Sequence, residues 1–480
     1  MPAQTRKITV DTFALFLGRA VGLLLGMVRL NFLARYLGVG NFGVLNSATF
    51  FVSLFLPLFD LGISQILTRE IVRKPDQGNR LLGQALAMKA IIAVGSSVLV
   101  YCVAEVSAFD RVTSWAVFFT TAAIAINSIS TAYLSAFQAQ RRMVTVSLLL
   151  LFSDVALSLI LIVMLPIIPQ MNTVLLGTVA VAAINVLVMM VLYRRTSGRL
   201  IIHMDSAEWR PMIAAGMPIA ICSFGAAIYT FISPNILKHV RGDIEVGLYG
   251  AGYKLISIIT LVPIVLSQIL YTVFADFHAN SRHKLGKALE DALRVTMEIS
   301  IPLAVGTAVL APAIVAFLYP PEFAGAAVVL RTIIVGNAFG FLAWVFFTFQ
   351  LATGHQKFCM WNALFVAALV TAASIVVVPY YGYLGVAFIV GATDVGLCIN
   401  HMLFARHLGF SVLKPGTIGR IALSCAAMFL VVWFLRDQYL FVPIGAGIVI
   451  YGVSLYLSGG IGDQEREILR KIRRRLRVEN

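Results

Sequence analysis

The chain has 480 residues, of which 60% are hydrophobic and only 12% are charged, and its formal net charge is +15. A soluble protein of this length needs more charge to cover its surface, so the composition excludes an ordinary soluble protein. The basic residues lie mainly at alternate ends of apolar segments, which argues against a nucleic-acid partner. The five cysteines are far apart and form no C-x-x-C pair, so we expect neither a disulfide nor a metal site.

Apolar runs of about 20 residues recur along the whole chain, and this pattern is typical of an all-α polytopic membrane protein. We expect no signal peptide, because Arg19 interrupts the first apolar run and no convincing small-residue cleavage site follows it. The runs predict fourteen transmembrane helices, at residues 8–33, 41–68, 81–104, 112–137, 143–167, 172–193, 209–235, 246–275, 290–318, 324–352, 358–379, 382–405, 415–436 and 440–458.

The first two predicted helices are joined by a glycine-rich turn within residues 18–48, GRAVGLLLGMVRLNFLARYLGVGNFGVLNSA. Gly18, Gly22 and Gly26 recur every four residues, so they line one face of the first helix. We expect this face to let another backbone approach closely.

The short loops carry Lys and Arg very unequally on the two sides of the predicted bundle. One side has 25 of these residues and the other has 5, which predicts that both termini lie in the cytoplasm. The longest loops are predicted around residues 194–208 and 276–289, and the chain ends in a basic cytoplasmic tail.

A shift of 204 residues aligns LNFLARYLGVGNFGVLNSA with PNILKHVRGDIEVGLYGAG, so that Gly38 matches Gly242 and Gly43 matches Gly247. Both segments join an odd-numbered helix to the next on the same side, so the repeat is parallel. We predict two six-helix lobes related by a pseudo-two-fold axis along the membrane normal, with a substrate path between them. The predicted parts are the N-terminal lobe at 1–198, the C-terminal lobe at 199–407, helices 13 and 14 at 408–460 and the tail at 461–480.

Several ionisable residues lie within the predicted spans, where a cation costs about 2.5–3.5 kcal/mol and needs a polar cavity or a partner. The cations at membrane depth are Arg19, Arg29, Lys89, Lys254 and Arg331, and the acids are Asp60, Asp154, Glu298 and Asp394. We predict that the cations line a cavity for an anionic ligand, because Arg in particular suits phosphate oxygens. The acids are candidate H⁺ or Na⁺ coupling sites. The alternative for any of these residues is a structural ion pair, for example Arg19 with Asp154 or Asp60.

Enzyme signatures are missing from the sequence. It has no His/Cys cluster with metal spacing, no P-loop and no G-x-S-x-G elbow. The predicted non-cytoplasmic loops are only a few residues long, which leaves little room for the acids of a membrane glycosyltransferase. We therefore predict no catalytic residue, no resident metal and no cofactor.

Several segments, taken in order, carry a family resemblance. They are GR at 18–19, LARYLGVGNFGVLNSA at 33–48, DLGISQILTREI at 60–71, GLYGAGYKL at 247–255, LYPPEFAGAAVVLR at 318–331, GHQKF at 354–358 and PYYGYLGVAFI at 379–389. With them the chain resembles the Wzx-type flippases for O-antigen and exopolysaccharide units, in the multidrug/oligosaccharidyl-lipid/polysaccharide (MOP) superfamily. The resemblance spans nearly the whole chain.

The resemblance implies a V-shaped pair of six-helix bundles that moves an undecaprenyl-diphosphate-linked oligosaccharide across the bacterial inner membrane by alternating access. It implies that the diphosphate lies in the cationic cavity while the polyprenyl tail stays in lipid. Arg19 and Arg29 match the basic residues that such flippases place on the first helix, and Lys254 and Arg331 fall on matching helices of the second lobe. Membrane lipids and a polysaccharide polymerase or export machinery are the implied partners.

Three other functions remain open at this point. A cation-coupled drug exporter of the same superfamily is expected to have an acid-dominated cavity, whereas the deep charges here show a cationic surplus. A flippase for the peptidoglycan lipid precursor shares a similar first helix. A membrane scaffold of a polysaccharide assembly complex has no use for deep charge.

Overall fold

The computed structural model describes the backbone of residues 2–198, 200, 206–410 and 415–459. Within these ranges it does not describe the side chains of residues 2–20, 23, 206–208, 261, 265, 268 and 415. The side chain of Arg19 and the predicted tail at 461–480 therefore lie outside the described residues.

The described part of the chain is helical throughout and contains no strand. Its α-helices are α1 (Pro2–Leu54), α2 (Leu56–Asp60), α3 (Ile63–Arg73), α4 (Gly78–Val106), α5 (Arg111–Ala139), α6 (Met143–Met164), α7 (Met171–Ser197), α8 (Ser206–Arg241), α9 (Asp243–Ile259), α10 (Leu261–Asn280), α11 (Arg282–Leu318), α12 (Ala326–Ala352), α13 (Gln356–His407), α14 (Pro415–Leu435) and α15 (Phe441–Leu457).

The prediction of an all-α polytopic membrane protein is confirmed. Eleven helices of the described residues are long and apolar enough to cross a membrane, and α15 is a shorter apolar helix. α1 holds the first predicted span and the start of the second, and its backbone leaves the helical conformation at Gly38 (φ 69°). α13 holds two predicted spans, and its backbone leaves the helical conformation at Gly382 (φ 55°). The exact number of crossings stays a prediction.

Two details differ from the sequence prediction. The predicted second helix is interrupted between α2 and α3, where Leu61 and Gly62 are both left-handed with φ of 47° and 73°. The predicted loop around 276–289 is wrong, because α10 continues to Asn280 and α11 already begins at Arg282. The sequence prediction ends its helices where the apolar runs end. Several of the polar and charged residues between the two runs are good helix formers, so α10 and α11 extend into this segment.

The predicted internal repeat is visible in the backbone. Gly38 and its counterpart Gly242 both have positive φ, 69° and 81°, where one helix ends and the next begins. A Cβ on Gly43 would overlap the carbonyl oxygen of Asp243, and a Cβ on Gly247 would lie 2.5 Å from the carbonyl oxygen of Val39. Val39 and Asp243 are themselves related by the shift of 204 residues. The two repeat segments therefore exchange equivalent backbone contacts within unit 1.

The chain packs as two compact units, which we call unit 1 and unit 2. Unit 1 comprises Met1–Gly250, Leu318–Phe323 and Met360–Val386, and unit 2 comprises Ala251–Phe317, Ala324–Cys359 and Ala387–Asn480. This grouping does not test the predicted lobe boundaries at residues 198 and 407, which stay predictions.

Each unit has its own apolar core. In unit 1, α1 packs on α5, α6 and α8, and buried side chains of α3 to α8 form a cluster that includes Ile63, Leu67, Leu82, Phe137 and Tyr193. In unit 2, α10 packs on α12 and α14 packs on α15, and one buried cluster includes Phe274, Leu289, Phe346, Phe349 and Ile421.

A half-buried lysine, Lys238, joins several helix ends of unit 1. Lys238, near the end of α8, places its Nζ 3.1 Å from Asp110 Oδ1, 2.5 Å from Asp243 Oδ2 and 3.0 Å from Thr113 Oγ1. Ser47 Oγ donates a hydrogen bond of 3.0 Å to Asp243 Oδ1. Asp110 also caps α5 by accepting a hydrogen bond from the Thr113 backbone N–H. Lys238 thus joins α5, α8 and α9, and α1 through Ser47.

The close backbone contact at Gly43 yields a stability prediction. Gly43→Ala places a methyl group against the Asp243 carbonyl and should cost about 1–3 kcal/mol through overpacking. Gly40→Ala on the same helix is the matched control, because nothing lies within 4 Å of a Cβ at that position. The thermal unfolding midpoints of the purified variants should therefore differ clearly, with Gly40→Ala at or above the wild-type value. Equal midpoints for the two variants would contradict the contact.

The Asp110 carboxylate yields a pH prediction. Burial alone would raise its pKa, but hydrogen bonds from Thr113 and Lys238 outweigh burial and lower the pKa from 3.8 to about 2. Because folding lowers this pKa, the paired carboxylate stabilises the fold fully above pH 3.8, and this contribution is lost as the pH falls toward 2. Wild type should unfold at a higher temperature than Asp110→Asn at neutral pH, and the gap should close on acidification. A gap that does not change with pH argues against the ion pair.

Candidate functional site

The first pair of predicted site residues lies in unit 1. Arg29 in α1 and Asp154 in α6 face each other with 3.9 Å between Nη1 and Oδ1, and the Arg29 side chain is 22% exposed. This separation is an ion pair without a hydrogen bond. The buried Nη1 of Arg29 makes no hydrogen bond to any residue that the structure describes. The guanidinium therefore retains donors for an anionic ligand.

The glycine face of α1 makes room for this pair. A Cβ on Gly22 would lie 2.7 Å from Asp154 Oδ2, and a Cβ on Gly26 would lie 4.0 Å from Arg29 Nη2. We expected these glycines to admit another backbone. Instead, Gly22 admits the Asp154 carboxylate, because α1 and α6 pack closely enough to seat a short acidic side chain where a Cβ is missing.

A second pair of predicted residues, Lys89 and Asp60, also lies in unit 1. The Lys89 side chain is fully buried, and its Nζ lies 2.5 Å from Asp60 Oδ1. The same Nζ also donates to Ser64 Oγ, Thr131 Oγ1 and the backbone carbonyl of Ser128. Lys89 is therefore engaged by its own chain, in the manner of the structural ion pairs that the sequence left open.

In unit 2, Arg331 of α12 lies beside a cavity of about 780 Å³. The Arg331 Nε donates a hydrogen bond of 3.0 Å to the backbone carbonyl of Ala308, and the side chain is exposed. The remaining lining comes from apolar side chains of α11 to α14, among them Met297, Phe339, Phe346, Ile399, Phe429 and Trp433. A cavity of this kind suits the apolar part of an amphiphile with an anionic group near the guanidinium.

The other predicted residues of unit 2 lie in different surroundings. Asp394 is buried, accepts a hydrogen bond of 3.2 Å from Asn337 Nδ2, and occupies space that a Cβ on Gly340 would fill. Glu298 accepts a hydrogen bond of 3.3 Å from Arg294, one turn earlier on α11. Lys254 is half-buried on α9. That the cations of both units line one cavity stays a prediction.

Sequence reasoning missed the polar residues that complete the Lys89 site. Ser64, Ser128 and Thr131 are ordinary small polar residues in apolar helices, where they usually bond their own backbone. Thr131 contributes its hydroxyl, whereas Ser128 contributes only its backbone carbonyl, which no side-chain pattern in the sequence marks. The break between α2 and α3 brings Asp60 and Ser64 together. The only sequence signal near it is Pro57, at the start of α2.

The sequence of residues 8–278 matches the family described as polysaccharide biosynthesis protein. The chain belongs to this family. The match covers more than half of the chain, and the description of the family agrees with the resemblance drawn from the motifs. No curated protein sequence matches the chain significantly.

Solved structures extend the comparison to the fold. A lipid II flippase, MurJ, in an inward closed conformation is 16% identical with a TM-score of 0.78, over 94% of this chain and 98% of that chain. An inward-facing multidrug resistance MATE transporter of the MOP superfamily is 12% identical with a TM-score of 0.67, over 81% and 94%. A MOP-superfamily transporter from Pyrococcus furiosus has a TM-score of 0.60 at 11% identity, over 83% and 95%.

At these identities the likeness shows the fold. The chain is a multi-pass membrane protein of the polysaccharide biosynthesis family, with the fold of MOP-superfamily transporters and flippases. These neighbours are transporters, which agrees with the absence of enzyme signatures from the sequence.

Proposed function

We propose that this protein is a flippase that moves an undecaprenyl-diphosphate-linked oligosaccharide, an O-antigen or exopolysaccharide repeat unit, from the cytoplasmic to the periplasmic leaflet. In this proposal it lies in the bacterial inner membrane with both termini in the cytoplasm, as its loop charges predict. Two findings support the proposal: the chain belongs to a family of polysaccharide biosynthesis proteins, and one structural neighbour is the lipid II flippase MurJ. Alternating access carries the substrate past the cationic side chains.

The observation that carries the proposal is the guanidinium of Arg29. It lies within the membrane-spanning part of α1, is mostly buried, and has a buried Nη1 that makes no hydrogen bond to a described residue. A planar guanidinium with free donors binds two phosphate oxygens at once, which suits a diphosphate. Arg19, on the same helix and outside the described side chains, joins it in the proposal, as do Lys254 and Arg331.

Lys89 has a different role in the proposal from the other four cations. Its ammonium already has four oxygen partners, so it has little capacity left for a phosphate. We therefore assign the diphosphate to the arginines and Lys254, and we treat Lys89 as part of the scaffold of unit 1.

The apolar cavity in unit 2 supports a lipid-linked substrate in particular. Its volume of about 780 Å³ and its lining of Leu, Ile, Phe and Trp side chains suit part of an isoprenoid chain, with Arg331 beside it for an anionic group. For H⁺ or Na⁺ coupling we propose Asp394, a buried carboxylate beside an amide donor. Membrane lipids and a polysaccharide polymerase or export machinery are its partners in this proposal.

A drug exporter is the second candidate, because a MATE transporter shares the fold at a TM-score of 0.67. The two functions differ in the charge of what they carry. A cationic drug gains nothing from Arg29, so its export should not depend on the guanidinium, whereas export of a diphosphate-linked glycan should.

Substitution of Arg29 tests the proposal directly. Arg29→Ala should abolish glycan export in a strain that lacks the native transporter, with normal abundance of the variant in the membrane. Arg29→Lys should retain part of the export, since it keeps the charge but loses the bidentate geometry. Arg35→Ala, an exposed arginine on the same helix, is the control and should export normally. Full complementation by Arg29→Ala would overturn the proposal.

The cavity in unit 2 is tested by a matched pair of substitutions on α12. Val335 lines the cavity and Val328 does not, and both side chains are about half exposed. Val335→Trp should narrow the cavity and lower export several-fold, whereas Val328→Trp should stay near wild type. Export rates in cells, normalised to membrane abundance, measure the difference. Equal rates for both variants would remove the cavity from the mechanism.

A further inference from the structure

The Lys89 ammonium lies in a shell of four oxygen atoms within unit 1. The Nζ is 2.5 Å from Asp60 Oδ1, 2.9 Å from Ser64 Oγ, 2.5 Å from Thr131 Oγ1 and 3.0 Å from the Ser128 carbonyl oxygen. The Lys89 side chain is fully buried. One carboxylate, two hydroxyls and one backbone carbonyl are hard oxygen ligands of the kind that small cations bind in proteins.

The shell is built across a helix break. Asp60 is the last residue of α2 and Ser64 lies in the first turn of α3, and the two left-handed residues Leu61 and Gly62 separate them. Broken membrane helices are a recurrent way of presenting oxygen atoms to a coupling cation, because the interruption frees polar groups at membrane depth. Ser128 and Thr131 of α5 complete the shell from the other side.

The break is also tightly packed. A Cβ on Gly62 would lie 2.5 Å from the carbonyl oxygen of Gly216 in α8, so the two backbones touch at this point. An interaction that fixes the positions of Asp60 and Ser64 therefore also fixes the contact between the α2–α3 break and α8. The Lys89 ammonium serves this purpose, since it links α2, α3, α4 and α5 through one charge.

We propose that this shell is a monovalent-cation site that the chain fills with its own lysine. The Lys89 ammonium takes the place of a bound Na⁺ or K⁺, neutralises Asp60 and locks the α2–α3 break. Asp60 is then not a coupling acid, and unit 1 keeps its form without an external cation at this position. Removing the lysine side chain leaves a vacant oxygen shell that accepts a small monovalent cation. The Asp60 side chain is 29% exposed, which gives an ion access to the shell.

This inference does not depend on what the protein transports, and a stability measurement tests it without substrate. Purified Lys89→Ala is unfolded by heat in NaCl, in KCl and in N-methyl-D-glucamine chloride at equal ionic strength. The midpoint should rise by about 5 °C or more in Na⁺ or K⁺, in a saturable way, because the ion binds the folded state alone. The rise should exceed any rise of the wild-type midpoint, which reports cation binding elsewhere in the chain, for example at Asp394.

Two further variants serve as controls. Lys89→Met removes the charge but fills the space, so its midpoint should be low and should respond to the cation no more than the wild-type midpoint does. Lys89→Ala combined with Asp60→Asn should also lose the response, because the shell no longer carries a negative charge. A Lys89→Ala protein whose midpoint is the same in all three salts overturns the proposal, as does an equal response in Lys89→Met.

If Lys89→Ala does not accumulate in the membrane, its abundance is compared with that of the double variant that also carries Asp60→Asn, and this comparison decides the question. Recovery of the protein on adding Asp60→Asn supports the proposal, since a neutral shell needs no cation. If the double variant fails to the same extent, the lysine acts through its bulk alone and the cation site is refuted. Glycan export plays no part in any of these outcomes.

Discussion

A charge placed among apolar helices has to be compensated at short range, and this constraint accounts for most of the polar structure described above. Lys89 and Asp60 meet it with a contact and three more oxygen atoms around the ammonium. Glu298 meets it with Arg294 one turn away. Arg29 meets it only in part, because Asp154 lies 3.9 Å away. The incomplete case is the informative one, since an arginine with donors left over at membrane depth is costly unless a ligand uses them.

Glycine solves three different packing problems in this chain. Gly38 and Gly242 provide the positive φ at which one helix turns into the next. Gly43 and Gly247 let the two repeats touch through their backbones. Gly22 in unit 1 and Gly340 in unit 2 leave room for the carboxylates of Asp154 and Asp394 from another helix. The last use was not foreseen, yet it explains how a deep acid is accommodated without opening the helix packing.

The sequence was sufficient for the all-α membrane fold class, because the length of an apolar run is a local, one-dimensional signal. The repeat of 204 residues placed Gly38 over Gly242 correctly, and their shared positive φ follows from it. The sequence did not show the break between α2 and α3, because a helix can stop inside an apolar run. It also did not show that α10 and α11 extend into the charged residues on both sides of Ser281, because a helix can continue into a charged segment. The deep charges could be named from the sequence. Their partners could not, since Lys89 and Thr131 meet only through three-dimensional packing.

Counting charges therefore gives an incomplete guide to where an anionic ligand binds. Lys89 and Arg29 count equally in the sequence, but the ammonium of Lys89 has more oxygen neighbours than it has protons to donate. The guanidinium of Arg29 has five donors and a partner beyond hydrogen-bond distance. The ability to bind a phosphate is set by unused donors and not by charge alone. By this criterion Arg29 is the one of these two residues that we propose for a diphosphate, and Lys89 belongs to the framework that holds the helices of unit 1 together.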